Sequence, residues 1–441
     1  MWFQATKIIK KTLLLHILAK KTQSSIFLAR KGLKRQTEGR RFSHFFGRNG
    51  WSLGNMLYLC RRRRLKTINN GIMKTIRMTL AAMMAVVGCT QVTAQRAPKV
   101  LSDNKVEFAM RAPEAQKVQV DIGGTKYDMT KGDGGTWTVQ TNPQVPGFHY
   151  YSLIIDGVSV ADPASPSFYG CSRWSSAIEI PEEGMDDFEV QDVPHGEVRT
   201  VHYYSKVEKA WRPLIIYTPA GYDDGKLTFP VVYIQHGGGE DHRGWMEQGR
   251  TAQIMDNLIA AGKAVPMIVV SSNSNVHSIS GGFGSGYSWQ GMQTFRSELL
   301  ENVIPFVEQN YRVKKDRKSR AMCGLSMGGG QSFYIGLRDP DIFANVGVFS
   351  TGMFGGIRGA SNFDLEKEVP GMLTDTKTFN KQFDVFFISC GEQDPRIEYT
   401  QDIVKKMCDG GVKVRFSSYP GDHEWQVWRK SLHEFATYLF R

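Results

Sequence analysis

A serine that could act as a nucleophile stands at position 326, in Cys323-Gly324-Leu325-Ser326-Met327-Gly328-Gly329, a G-x-S-x-G arrangement. A serine hydroxyl attacks poorly until a base takes its proton. The apolar residues 320–323 read as a strand and residues 330–338 as a helix. A strand-to-helix turn pushes a side chain clear of the backbone, where a base can meet it. Such a turn is crowded, and Gly324 and Gly328 supply the small flanks it needs. The amide of Met327 falls at the helix N-terminus and can face a developing oxyanion. Taken alone, the pentapeptide also suits a Gly-rich turn that merely begins a helix.

The downstream residues supply the missing partners. Residues 385–394 end a predicted strand with a loop and an acid, Asp394. Residues 419–425 end the next strand with a loop histidine, His423. The chain order Ser326, Asp394, His423 is that of α/β hydrolases, and the C-terminal ends of parallel strands share one sheet edge. His423 is then the base and Asp394 the group that fixes its tautomer. Glu392 is a rival for the acid. His433, inside the last helix, reads as an ordinary surface residue. A second oxyanion donor is expected from Gln235-His236-Gly237-Gly238-Gly239-Glu240, where glycines let the backbone approach a ligand. His236, Asp241 and His242 lack a recognised ligand spacing, so no metal is expected. The Gly-rich residues 281–287 do not open a helix directly after a strand, so they read as a loop over the cleft rather than a dinucleotide site.

These residues need a frame. From residue 196 to 441, strands alternate with helices, which predicts a mostly parallel sheet with helices on both faces. Residues 97–180 differ. Val106, Phe108 and Met110 alternate with polar neighbours, as do Val118, Val120 and Ile122, with turn residues between short runs. That pattern predicts an antiparallel β-sandwich. Residues 181–195, acidic and unpatterned, read as a linker.

The formal charge of +12 belongs to one end. Residues 1–72 hold seventeen Lys and Arg against one acid, Glu38, a surplus of 16 that leaves the remainder at −4. A nucleic-acid surface would therefore have to lie in that extension, and none is expected elsewhere. Residues 73–94 read as a signal peptide: Met73-Lys74-Thr75-Ile76-Arg77, an uncharged run, then Val92-Thr93-Ala94. On that reading residues 1–72 are an upstream extension outside the mature protein; the alternative is a basic arm. Val86-Val87-Gly88-Cys89 competes as a lipoprotein box, with Cys89 as a lipid anchor. Both readings place the mature protein in the periplasm or outside the cell. No later stretch is long and apolar enough to span a bilayer. Cys171, Cys323, Cys390 and Cys408 have neither zinc-site nor disulfide-scaffold spacing, and free thiols are expected.

Two resemblances extend this reading. Phe108-Ala109-Met110-Arg111-Ala112-Pro113, Gly135-Thr136-Trp137, Pro146-Gly147-Phe148-His149-Tyr150-Tyr151, Asp156-Gly157 and Asp162-Pro163 resemble carbohydrate-binding module family 48, an immunoglobulin-like domain. This implies either a glycan-binding module or a scaffold that binds nothing. Tyr233-Ile234-Gln235-His236-Gly237-Gly238-Gly239, Gly324-Leu325-Ser326-Met327-Gly328-Gly329, Gly391-Glu392-Gln393-Asp394 and Gly421-Asp422-His423-Glu424-Trp425 resemble the esterase D-like fold of carbohydrate esterase family 1. That resemblance covers nearly all of residues 196–441. It implies an α/β hydrolase, an oxyanion amide at Gly238, no cofactor, and hydroxycinnamoyl esters of plant arabinoxylan as substrate. Acetylxylan and siderophore esterases are the rivals within enzymes. A carbohydrate-binding protein with an inactive hydrolase domain is the rival from another class, and the intact Ser326, Asp394 and His423 argue against it. An aromatic acyl group needs apolar walls. Phe283, Tyr287, Trp289, Met353, Phe354 and Trp425 are the candidates, with core packing as the alternative for each.

Overall fold

The computed structural model describes residues 96–276, 288–355 and 363–441. The basic extension, the signal segment with Cys89, and Phe283 and Tyr287 lie outside the described residues. All described residues fall within one unit, Thr93–Arg441.

Ten short strands come first: β1 (Lys99–Val100), β2 (Val106–Arg111), β3 (Val118–Ile122), β4 (Thr125–Asp128), β5 (Thr130–Lys131), β6 (Thr136–Gln140), β7 (Gly147–Ile155), β8 (Val158–Val160), β9 (Ser167–Gly170) and β10 (Arg173–Ile180). They form two sheets, β1-β2-β6-β5 and β4-β3-β7-β10-β9, with β8 paired to β7. The period-2 pattern explains the layering. Phe108, Val118, Val120, Trp137, Tyr151 and Leu153 are buried in one cluster; on β2 the alternate residues are exposed or half-buried, whereas β7 is buried on both faces over most of its length.

The second part is an eight-stranded sheet of order β11-β12-β14-β13-β15-β16-β17-β18. Its strands are β11 (Glu197–Ser205), β12 (Ala210–Thr218), β13 (Val231–Gln235), β14 (Ile268–Ser272), β15 (Arg320–Leu325), β16 (Asn345–Phe349), β17 (Val385–Gly391) and β18 (Arg415–Tyr419). From β14 to β18 the pairs are parallel; β11 and β12 form an antiparallel edge. The helices are α1 (Thr251–Ala260), α2 (Trp289–Glu298), α3 (Ile304–Asn310), α4 (Met327–Gln331), α5 (Leu365–Glu368), α6 (Thr376–Gln382), α7 (Ile397–Asp409) and α8 (Trp425–Tyr438). Strands β13 to β17 are buried along their whole length, as a parallel sheet covered on both faces must be. One face packs around Phe295, Phe333 and Phe343. The other packs around Trp245, Phe349, Trp425 and Phe435, and takes in Phe148 and Ala177 from the sandwich. The two parts therefore share a core.

Residues 181–195, expected as an acidic linker, are packed against the rest of the chain. Phe188 is buried, and the acids around it meet basic side chains: Glu182 pairs with Lys430 at 2.7 Å and Asp187 with His433 at 2.8 Å. The amide of Asn257 holds the carbonyls of Asp187 and Glu189, each at 2.9 Å. The acidity that looked like a solvated boundary is the complement of α8. For the same reason His433 is half-buried against Phe188 rather than an ordinary surface residue.

Candidate active site

Ser326 joins β15 to α4 with φ 52° and ψ −111°, a conformation that costs an L-residue energy. Its neighbours hold it there. The Ser326 amide donates to the Phe349 carbonyl at 2.8 Å, and the Gly330 amide to the Ser326 carbonyl at 3.1 Å. The turn also lies hard against the end of β13. A Cβ on Gly324 would come 2.7 Å from the Gln235 carbonyl oxygen, and one on Gly328 would collide with the carbonyl oxygens of Gln235 and His236. Both glycines are therefore required by close approach.

The loops after β17 and β18 bring the other two groups to this turn. His423 Nε2 lies 2.9 Å from Ser326 Oγ, and His423 Nδ1 lies 2.7 Å from Asp394 Oδ2. An ionised Asp394 can only accept, so Nδ1 carries the proton and Nε2 is free to accept from Ser326. The other carboxylate oxygen of Asp394 accepts from the Arg396 amide at 3.0 Å and its guanidinium at 2.7 Å. Burial works to raise the Asp394 pKa. The hydrogen bond and charge of His423, with Arg396, outweigh burial and hold the carboxyl below the ordinary aspartate value. The two loops are tied together: the Gly421 amide donates to Gln393 Oε1 at 2.6 Å and the Gln393 amide to the Gly421 carbonyl at 3.0 Å. Glu392, the rival acid, is exposed, and its amide is paired with the Tyr419 carbonyl.

The turn at residues 237–240 faces the serine. A Cβ on Gly237 would lie 3.4 Å from Ser326 Cβ. His236 is fully buried; its Nε2 accepts from the Ser274 amide at 3.0 Å, so its Nδ1 carries the proton and donates to the Gly237 carbonyl at 2.8 Å. Burial lowers the His236 pKa and keeps it neutral. In a trans peptide the N–H points opposite to the C=O. Anchoring the Gly237 carbonyl on His236 thus turns the Gly238 N–H to the other side, and Gly238 itself is half-exposed. The Met327 amide, first in α4, has no intrahelical acceptor. Two donors with this character beside a nucleophile suit an oxyanion. Glu240 closes the turn. Its carboxyl is buried beside the Gly237 amide, 3.4 Å away, and burial pushes its pKa up to about 8.

The structure brings together Ser326, His423, Asp394 and the turn holding Gly238. It does not bring all the aromatic candidates to them. Trp425 is 1 % exposed and wedged edge-on between Trp245 and Trp428. Phe354 is 2 % exposed, packed on Phe333 and Phe363. Both are core residues: Phe354 lies in one buried cluster of the sheet and Trp425 in the other. Trp289 is exposed, but it begins α2 and packs on Tyr334 and Arg338. Those residues follow Ser326 by eight and twelve positions along a helix, roughly 12 and 18 Å at 1.5 Å per residue. Only Met353, half-buried in the turn after β16, remains at the nucleophile's edge among the described candidates. Sequence reasoning missed Arg396, the Ser274 amide and the role of Glu240. Arg396 had a signal, lying two residues after the acid; the Ser274 contact is non-local and had none. Among the described residues no group of His, Cys, Asp and Glu is arranged to hold a metal ion, and no helix is long and apolar enough to cross a membrane.

Comparison with known proteins adds to this geometry. The family described as "Putative esterase" matches residues 205–439. An endo-1,4-β-xylanase/feruloyl esterase from Xylanibacter ruminicola is 34% identical over 361 residues, covering 79% of this chain. The chain spans only 46% of that relative's length. Among solved structures, a ferulic acid esterase of family CE1 from Anaeromyces mucronatus, in complex with ferulic acid, superposes with a TM-score of 0.51 at 25% identity. It covers 59% of this chain and 96% of that one. The enterobactin esterase of Shigella flexneri gives a TM-score of 0.56 at 17% identity, covering 77% of this chain and 94% of that one. At that identity the likeness is one of fold.

Proposed function

The chain belongs to this esterase family, and on that premise we propose that it is a secreted serine carboxylic ester hydrolase that frees feruloyl groups from plant arabinoxylan. The observation that carries the reading is the unbroken contact chain Ser326 Oγ, His423 Nε2, His423 Nδ1, Asp394 at 2.9 and 2.7 Å on a strained strand-to-helix turn. His423 Nε2 takes the Ser326 proton as Oγ adds to the ester carbonyl. The Gly238 and Met327 amides receive the negative charge that develops on the carbonyl oxygen. As the intermediate collapses, the C–O bond to the sugar breaks and His423 returns the proton to the leaving alkoxide. The acyl group is left on Ser326. A water then gives its proton to His423 and attacks the acyl carbonyl; Ser326 leaves as the hydroxyl and the carboxylic acid is released. Asp394 stays ionised throughout and stabilises the imidazolium.

The feruloyl assignment is supported by the activities for which the Xylanibacter relative and the Anaeromyces enzyme are named. A polysaccharide substrate also has a surface to meet. Trp174 on β10 is 52 % exposed, stacked with the Arg243 guanidinium at 4.5 Å, and Arg243 follows the oxyanion turn by only a few residues. An exposed ring of this kind offers a stacking face to a sugar. The test is a hydrolysis panel of methyl ferulate, acetylated xylan and a catecholate siderophore. Fastest turnover of methyl ferulate, abolished in Ser326→Ala, is the expected result. Preference for acetyl esters moves the reading to acetylxylan, and preference for the siderophore moves it to that class.

A further inference from the structure

The sandwich reaches the oxyanion turn itself. Strands β9 and β10 pair Gly170 with Arg173, so Cys171 and Ser172 form a two-residue hairpin loop. Both have positive φ, 53° and 62°. Such loops ordinarily carry Asn-Gly or similar residues, because both positions are left-handed. Here two ordinary L-residues are held in that conformation, and strain of this kind persists only where surrounding contacts fix it. The contact in question is the Ser172 amide, which donates to the Gly239 carbonyl at 2.7 Å. A second arm comes from β7. The Tyr150 hydroxyl accepts from Gln248 Nε2 at 2.7 Å and from Trp425 Nε1 at 3.4 Å. The same hydroxyl is near enough to the buried Glu240 carboxyl for the two groups to interact. Glu240 in turn lies against the Gly237 amide. The turn carrying Gly238 is thus gripped at Gly239 and at Glu240 by side chains and backbone from the sandwich.

We propose that the β9–β10 hairpin and Tyr150 are positioning elements for ester hydrolysis, fixing the turn at residues 237–240 so that the Gly238 amide meets the oxyanion. This rests on the serine-esterase reading and deepens it, assigning the sandwich a part in the chemistry of any ester, large or small. The physical reason is tolerance. An oxyanion donor contributes about 10²–10³-fold to turnover, and only at hydrogen-bonding distance from the oxygen. A turn rich in glycine has little stiffness of its own, so its geometry must be imposed from outside.

The test uses the full chain and p-nitrophenyl acetate, too small to depend on contacts with the sandwich. Tyr150→Phe removes one oxygen from a packed ring. Ser172→Pro removes the amide and cannot adopt the positive φ. Intact sites are counted by the burst of p-nitrophenol, and kcat is expressed per counted site. We expect each variant to lose about tenfold or more in kcat per site, with KM within about twofold of the parent. Should Ser172→Pro fail to fold, Tyr150→Phe carries the test alone. Fewer counted sites with unchanged kcat per site would make the contacts merely structural and overturn the inference. So would unchanged kinetics in Tyr150→Phe beside an inactive Ser326→Ala, and the esterase reading would then stand without it. A Ser326→Ala chain that still hydrolyses the ester would overturn the reading underneath.

Discussion

Ser326, His423 and Asp394 touch in one chain of contacts, and on the proposed mechanism they act as a unit, so their substitutions should not add. Ser326→Ala should lower kcat by about 10⁶-fold, and Ser326→Ala with His423→Ala by little more. Asp394→Asn should lower kcat by about 10⁴-fold, because an amide there favours the wrong tautomer of His423. Steady-state rates on methyl ferulate check both. These three residues were legible in the sequence because each sits in a loop at a strand's C-terminal end, and their chain order matches one architecture. Glu240 was not, since nothing local says that its carboxyl is buried. Its pH behaviour is now predictable. The buried carboxyl faces Tyr150, Asp241 and Cys171, and its folded pKa of about 8 lies above the ordinary 4.5. The folded state therefore holds a proton that the unfolded state has lost. Stability is greatest below pH 4.5 on this account and falls as pH rises through about 8. Glu240→Gln cannot ionise, so its melting temperature relative to the parent should rise between pH 5 and pH 9. A constant difference across that range would show that Glu240 does not titrate there.

At the scale of elements, the turn between β15 and α4 depends on what packs against it. Gly328→Ala places a methyl group on two carbonyl oxygens at the end of β13. It should abolish activity and cost several kcal/mol of stability, of the order seen for overpacked or strained sites. A stable, active Gly328→Ala chain would mean that the close approach is relieved. The elements were read well where the period was unambiguous: the buried strands β13 and β17 and the helix α7 lie where the apolar runs placed them. The aromatic walls were misread because a ring's fate depends on which side of the sheet its element covers. Trp425 begins α8 and is buried against Trp245 and Trp428; Trp289 begins α2 and stacks with Arg338. Trp289→Ala should therefore change methyl ferulate and acetyl ester kinetics alike. Trp174 differs, being exposed beside Arg243. Trp174→Ala should raise KM for feruloylated arabinoxylan several-fold, about 0.5–1.5 kcal/mol of stacking, and leave methyl ferulate unchanged. Equal effects on both substrates would place Trp174 outside the glycan path.

At the scale of the whole molecule, the strands of residues 99–180 form sheets of their own yet pack into the core of the eight-stranded sheet. Phe148 and Ala177 lie in the same buried cluster as Trp245 and Trp425. Arg429 of α8, 2 % exposed, is held by Glu179 of β10 at 2.7 Å and by the Gln248 carbonyl at 2.8 Å. His149 adds a contact to Glu424, beside the base, at 3.6 Å. Burial works against a charged His149, but Glu424 outweighs it and raises the pKa. That contact is complete below the ordinary histidine pKa of 6.5 and is lost as pH rises through the folded value. None of this was visible along the chain, because the contacts join residues far apart in the sequence, such as Glu179 with Arg429 and His149 with Glu424. Deleting residues 97–195 would uncover the Trp245 and Trp425 face and strip Arg429 of its carboxylate. Leaving a buried charge unpaired costs about 3–5 kcal/mol, and the exposed apolar patch favours association. We expect residues 196–441 alone to elute as aggregate on gel filtration and to hydrolyse p-nitrophenyl acetate poorly. Glu179→Ala in the intact chain isolates the charge term and should lower the melting temperature while leaving the patch covered. A monomeric, fully active 196–441 fragment would instead mean that the sandwich is an appended module, and that the shared cluster contributes little to holding the hydrolase sheet together.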